Sequence, residues 1–559
     1  MDYEVLSPWA EVDRSGSAVM QPRLNDLNGK TIGLFSHFKE HSPLILKEVE
    51  RQIKERTPKA KFSHYQYPRD TAEIMNDDKY KPSFMEWLKD VDAVISAYGD
   101  AGSCSMFVAY NSAAIETLGK PVVMLVKEDL AQPAQRGASA RQVPCLRMVK
   151  TGIMDMSGMF SLAEVEDAII RPGITPVIDE IISALTMPLT EQEKSPAKIE
   201  DLSRLVYKGN IEEVNNFFYK NGWTNGAPIV PPTEEAVREM LKGTDLPRDY
   251  VVARIPPMLG KATVEKIAVN AVMAGCLPTY MPILIAAVEG MVDPVIHLEG
   301  WTCSVASWAP LIIVNGPIRR DLNMKSDGAI MSPYYKANST IARAIAFMIM
   351  NIGGVRPILE DMSEMGHESR FGMCIAENEE VTPWQPLHSD YGFNREDSSV
   401  TLFWPSQRTS VSGKDAAGIL RSMCTVDMLG WDLGCAFILS PGCAKKLADE
   451  GWTKKDILAY VVEYARKPAS EWNIRWLTGN NHRPKDVILP VDPSHSARKF
   501  WSTEHLLIVV GGSNYGASGV AYGGGGDHGG PSITKVQLPK DWGNLVARYK
   551  DIVPTYVRY

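Results

Sequence analysis

Cys104 is the residue of this 559-residue chain whose neighbours best equip it for chemistry. The run Asp92-Ala93-Val94-Ile95 leads into a small-residue turn, Ser96-Ala97-Tyr98-Gly99-Asp100-Ala101-Gly102-Ser103, and a helical pattern follows from Cys104 through Leu118. That order predicts strand, tight loop, helix, with a cysteine in the helix's first turn. The N–H groups there lack intrahelical acceptors, and the helix end carries partial positive charge. Both favour a thiolate over a thiol, so Cys104 is a candidate nucleophile or thiol acid/base. Asp100, in the same loop, is placed to orient a substrate or accept a proton; its plainer reading is a turn residue. Ser103 reads as the N-cap of the helix, with a hydrogen bond to thiolate or substrate as its functional alternative. His37 and His41 flank the end of the first strand, on the same sheet edge, and are either proton carriers or exposed loop residues.

Other candidates lie far along the chain. Cys303, in Glu299-Gly300-Trp301-Thr302-Cys303-Ser304 ahead of an apolar strand, is the candidate partner thiol for Cys104. Cys443 follows Pro441-Gly442 at a helix start, where the same electrostatic argument applies, and Cys276 ends an apolar helix and reads as core. Asp527 and His528 sit inside the glycine run from Gly523 to Gly530. Glycine lets backbone approach a ligand or a loop close over a site, so this pair is a candidate for acid–base work on a lid; a flexible surface loop is the bland alternative. The run is not GxGxxG and opens no clear helix, so it gives little support for phosphate binding. Glu377-Asn378-Glu379-Glu380 reads as a solvated charge cluster. The eight cysteines form no CxxC pair. Neither His367-Glu368 nor His388 with Asp390 has HExxH spacing, so no metal is assigned and no cofactor site is identified.

The elements that must position Cys104 alternate between β-rich and helical runs from Lys30 onward. Residues 31–36, 61–67, 91–97 and 121–126 read as strands, with helices over 43–54 and 84–89 and after Cys104. Such alternation predicts a doubly wound parallel sheet with helices on both faces, and ligands bind such sheets at the carboxyl ends of the strands. The expected organisation is an irregular segment over 1–29, a Rossmann- or flavodoxin-like domain over 30–189, a polar linker over 190–204 and a larger α/β or α+β unit over 205–559. In that unit Thr233 and Thr263 read as helix caps, 305–314, 435–440 and 506–510 as strands, and 338–351 and 454–466 as helices. Gly222-Trp223-Thr224 recurs as Gly451-Trp452-Thr453, too short a match to define a repeat.

Composition bounds the function. With 45% hydrophobic and 23% charged residues the chain reads as an ordinary globular protein. A net charge of −8 without a Lys/Arg stripe argues against nucleic acid as a partner. No segment has the roughly 18–20 uninterrupted apolar residues of a membrane span, and Met1-Asp2-Tyr3-Glu4 does not open a signal peptide, so a cytoplasmic location is expected. The 13 Trp and 25 Met residues suit apolar interfaces and raise the expectation of a homo-oligomer.

Two stretches carry a resemblance. Ala101-Gly102-Ser103-Cys104 after a strand resembles the motif of the UGSC proteins, named for selenocysteine (or cysteine)-Gly-Ser-Cys. Gly222-Trp223-Thr224-Asn225-Gly226, Thr263 to Cys276 and Val314-Asn315-Gly316-Pro317 resemble large bacterial and fungal proteins of the same group. That group is in turn similar to the substrate-activating selenoprotein B subunits of glycine and betaine reductases, where selenium attacks an activated carbon and displaces an amine. Here Ala101 occupies the position of the first chalcogen, so carried-over chemistry rests on Cys104 or on a cysteine from the second unit. The strand–helix turn at Ser103-Cys104-Ser105 also resembles one half of an aspartate/glutamate racemase, whose facing cysteines serve as acid and base.

Together these readings predict a cysteine-dependent lyase or oxidoreductase acting on a small organic substrate. Cys104 is the nucleophile in carbon–heteroatom bond cleavage or formation, or in a reduction. Asp100 or a histidine moves protons, and the Asp527-His528 loop excludes water. The alternatives are a cofactor-free racemase or lyase with a second acid/base facing Cys104, and a non-catalytic binding protein in which Cys104 is structural.

Overall fold

The computed structural model describes residues 1–12, 18–39, 41–69, 72–99, 101–153, 165–196, 203–426, 434–468, 496–500, 502–524 and 530–553. The first strand, Tyr3–Leu6 (β1), stays out of the N-terminal sheet. That sheet consists of Thr31–Ser36 (β2), Lys61–Gln66 (β3), Ala93–Ala97 (β4), Val122–Lys127 (β5) and Arg147–Thr151 (β6), in the order β3-β2-β4-β5-β6. Every pairing is parallel. Helices cover both faces, which is why β4 is buried along its whole length. His41–Arg56 (α1) and Ile178–Thr186 pack Ile45, Val49 and Ile181 onto Ile32, Ile95 and Val123. On the other face Lys81–Lys89 (α2), Gly102–Thr117 (α3) and Ala131–Ala140 (α4) set Phe84, Val108 and Ala134 against Phe35, Val94 and Met124. The doubly wound sheet read from the sequence is present, with a fifth strand, β6, that its mixed pattern Arg-Met-Val-Lys-Thr concealed.

The segment over 1–29 is less irregular than expected. β1 pairs antiparallel with Leu205–Gly209 (β7), and Val5, Leu6 and Ala10 join the core of the C-terminal unit. Residues 20–24 return to the N-terminal unit, where Met20 is core and Arg23 forms a buried ion pair with Glu116 at 2.8 Å. Within 190–204, Glu191–Lys194 is a helix closed by a Thr190–Glu193 capping box.

The C-terminal unit contains a hairpin, Val251–Ile255 (β8) with Gly260–Thr263 (β9), and helices Val264–Ala274 and Met281–Met291 capped or broken where Thr263 and Pro278 predict. Its strands are Leu311–Asn315 (β10), Met373–Ala376 (β11), Ser399–Phe403 (β12), Pro405–Ser412 (β13), Cys435–Leu439 (β14), Arg466–Pro468 (β15), Ser496–Arg498 (β16), Leu506–Val510 (β17), Ser518–Gly524 (β18) and Ser532–Lys535 (β19). β15 and β16 pair alone. The rest form two sheets, β11-β10-β12-β19 and β13-β18-β14-β17. Each follows one pattern: β10 is parallel to β11 and antiparallel to β12, as β14 is parallel to β17 and antiparallel to β18. The fourth strands are exchanged. β13 follows β12 in sequence but joins β18, and β19 follows β18 but joins β12. Leu311, Ile313, Ile375, Ile438 and Val509 pack the sheets together. The strand expected from residue 305 begins only at Leu311. Among the described residues, no single helix is long and apolar enough to cross a membrane.

Candidate functional site

The sheet order places a topological switch between β2 and β4: the chain leaves β2 to one side for β3 and returns to the other side for β4. In open α/β sheets the crevice at the carboxyl ends of such strands is the usual ligand site. Two sequence candidates converge there. His37 follows β2 and its N–H donates to the Ala97 carbonyl at 2.8 Å, and Cys104 follows β4. His37 and His41 are buried rather than on an exposed loop.

α3 begins at Gly102, with Ala101 as N-cap and no side-chain cap, so Ser103 is a buried second helical residue and not the cap. Cys104 is the third, 5% exposed. Ser105 ties the loop to the helix: its N–H donates to the Ala101 carbonyl and its hydroxyl to the Gly99 carbonyl, both at 3.0 Å. Along α3, Cys104, Phe107 and Asn111 are spaced to share one stripe. Asn111 holds the 72–76 segment, accepting from the Ile74 N–H at 2.8 Å and donating to the Ala72 carbonyl at 3.2 Å.

The C-terminal unit lies directly on this helix start. A methyl group on Gly102 would overlap the Cys303 carbonyl oxygen and crowd Met362, so glycine there permits the approach. Cys303, 1% exposed, caps the helix Leu298–Thr302 and packs with Met106, Phe107 and Tyr110 of α3. Burial, reinforced by the Glu299 charge, pushes its thiol well above the ordinary range, so it is held neutral. Ser103, Cys104 and Cys303 are thus gathered at one seam, and no disulfide joins any of the eight cysteines.

Beside the seam a cleft of about 750 Å³ opens between the units. Arg69, Glu73, Phe107 and Arg141 come from the N-terminal side; Arg254, Leu259, His297 and Glu299 from the other. Cys104 lies one helical turn from Phe107, toward the helix start. Arg141 crosses the cleft floor, bonded to Glu73 at 2.5 Å, to Glu299 at 2.7 Å and to the Pro257 carbonyl at 3.1 Å, with its guanidinium 3.9 Å above the Tyr110 ring. Burial opposes its charge, but the Glu299 carboxylate, with Tyr110 and Glu73, more than offsets this and raises its pKa. Burial also raises Glu299, with the Glu73 charge adding and Arg141 opposing. The Tyr110 hydroxyl is buried and has no hydrogen-bond partner among the described residues, and burial together with the Glu299 charge keeps it protonated. None of Glu73, Arg141, His297 and Glu299 stands out in the sequence. Arg141 and Glu299 are 158 positions apart, and only the fold joins them.

Asp100, Asp527 and His528 lie outside the described residues. The flank of the glycine run is described: Gly524 ends β18 against Trp308, whose ring is 4.3 Å from that of Trp301 in the Leu298–Thr302 helix. At Cys443, burial raises the thiol despite its helix-start position, and Cys276 is a core thiol pushed up to about 12 by burial. Glu377 and Glu379 are buried, contrary to the solvated cluster expected. Asn315 donates to both, at 2.6 and 3.0 Å, and Arg319 pairs with Glu379 at 2.9 Å. Among the described residues, no three His, Cys, Asp or Glu side chains are grouped to hold a metal ion.

Residues 4–186 match the model of the UGSC family, a span that takes in the parallel sheet, the Cys104 loop and α3. No curated protein matches the chain.

Proposed function

We propose, from the premise that this chain belongs through residues 4–186 to the UGSC family, that it is a thiol-dependent enzyme with Cys104 as nucleophile. The observation that carries this reading is the position of Cys104 in the first turn of α3, at the carboxyl edge of the parallel sheet and one turn from a wall residue of the inter-unit cleft. Helix-start N–H groups stabilise a thiolate there, and the cleft has the size and mixed lining of a small-molecule site. The substrate is a small organic molecule with an electrophilic carbon. The thiolate attacks that carbon, the C–S bond forms, and the heteroatom substituent leaves with the bonding pair and takes up a proton. Displacement at an activated carbon is what the resemblance to glycine and betaine reductase subunits implies, with Cys104 as the motif's remaining chalcogen. Cys303, neutral and packed in an apolar cluster, is better suited to shaping the seam than to acting as a second nucleophile.

The test is the pH dependence of alkylation at each cysteine, read by peptide mass spectrometry with Cys104→Ser as control. Selective labelling of Cys104, with an apparent pKa well below the roughly 8.5 of a free thiol, supports the nucleophile. Labelling no faster than at the other cysteines and with an ordinary pKa overturns it and leaves Cys104 a packing residue.

A further inference from the structure

α4 packs behind α3, with Gly137 close against Met106 and Tyr110, and carries two arginines toward the other unit. Arg136 forms an ion pair with Glu360, whose side chain is fully buried and also accepts from the Arg356 N–H at 3.2 Å. Arg141, the C-cap of α4, reaches Glu299 and the Pro257 carbonyl. Glu299 belongs to the helix that ends at Cys303, and Glu360 lies two residues before Met362. These are the two pieces of chain that close against Gly102 at the start of the Cys104 helix. One element therefore braces the nucleophile's helix from behind and grips both covering segments from the front.

We propose that Arg136 and Arg141 form a two-point clasp that holds the C-terminal unit over the start of α3 and so sets access to Cys104. They are positioning residues, and the functional importance of the clasp rests on the reading of Cys104 as a reactive thiol. Ion pairs suit this task better than an apolar seam. Opening separates the charges but returns each to water, so little net stability is lost while the closed alignment stays specific. Glycine at 102 completes the device by letting the Cys303 carbonyl and Met362 seat without a side chain between them.

The experiment measures iodoacetamide labelling of the whole chain at pH 7.5, cysteine by cysteine. In the Arg136→Ala/Arg141→Ala variant, Cys104 and Cys303 should label at least about tenfold faster than in the wild type, while Cys276, Cys374 and Cys435, buried within the C-terminal unit, stay at wild-type rates. Wild-type rates at Cys104 and Cys303, or all five cysteines rising together, would overturn the clasp. Glu299→Gln/Glu360→Gln removes the charge from the same contacts on the other unit with near-isosteric side chains, weakening rather than cutting them, and serves if the arginine variant does not fold. The two readings fail separately. An opened variant whose Cys104 titrates like an ordinary thiol removes the nucleophile and leaves the clasp, whereas a low-pKa Cys104 at an unchanged rate does the reverse.

Discussion

Gly102, two residues before the candidate nucleophile, is where the Cys303 carbonyl and Met362 close on α3, and its missing side chain is a structural requirement. Gly102→Ala places a methyl group into the Cys303 carbonyl, a backbone atom that cannot rotate away, so the seam itself must shift. We expect a loss of about 1–3 kcal/mol, read as a lower urea midpoint, with faster alkylation of Cys303. Gly119→Ala is the control. Gly119 has φ +93° and open space around it, so that change costs about 1–2 kcal/mol of backbone strain and leaves the Cys303 rate alone. Equal effects of both variants on Cys303 would mean that Gly102 does not set the approach. The placement of Cys104 was legible because its signal is local: strand, small residues, helix start. Cys303 was legible only as a thiol near a strand. Arg141, Glu299 and Glu360 carried no signal, because an ion pair across units appears only once the chain has folded. Glu377 misled for the same reason, since its partner Asn315 lies 62 positions away.

Local chemistry also decided which elements were readable. Thr233 and Thr263 accept from the third N–H of their helices, as their positions predict. The recurring Gly-Trp-Thr proves to be one device used twice. Gly222 and Gly451 adopt φ of +68° and +87° after a helix, and the following Trp N–H closes back on that helix at 3.0 Å, to Phe218 and to Leu447. β1 and β6 were missed because their burial comes from distant partners rather than from their own pattern. The Glu191–Lys194 helix is held to the N-terminal sheet by Arg147, which bonds Glu193 at 2.7 Å and lowers its pKa to about 2. A carboxyl depressed in the folded state stabilises it fully above the unfolded value of about 4.5 and loses that contribution as pH falls through about 2. The melting-temperature difference between wild type and Glu193→Gln should therefore be constant above pH 5 and shrink steadily between pH 4.5 and 2. A pH-independent difference would mean the ion pair contributes nothing. At the far end of α3, Glu116 is fully buried and accepts from Arg23, the Gln21 N–H and the Val122 N–H. Glu116→Ala leaves the Arg23 charge buried and unpaired, and should cost about 3–5 kcal/mol in urea unfolding; a cost below about 1 kcal/mol would show that water reaches Arg23.

At the scale of the molecule, the units are tied by more than the seam, because the chain's first residues belong to its last unit. β1 adds to β7, the Leu6 N–H donates to Pro232 and the Ser7 N–H to Arg204, both at 2.9 Å. Lys266 donates to the Ser7 carbonyl at 2.8 Å, and Asn270 to that of Pro8 at 3.2 Å, so one helix of the C-terminal unit is fastened to the N-terminal strap. Val5 and Leu6 are essentially fully buried there, and each apolar side chain so buried contributes roughly 1.5–3 kcal/mol. Removing residues 1–10 should therefore loosen the C-terminal unit and spare the parallel sheet, the reverse of what position along the chain suggests. Hydrogen exchange separates the outcomes. Faster exchange over 205–209 and 264–274, with 93–97 and 122–127 unchanged, is expected. Loss of protection in the parallel sheet instead would mean that β1 serves the N-terminal unit after all. The strap also touches the clasp, because the Trp9 ring lies 4.2 Å from the Arg356 guanidinium and the Arg356 N–H donates to Glu360. Faster Cys104 labelling in the truncated chain is therefore expected, and an unchanged rate would show that strap and clasp act separately.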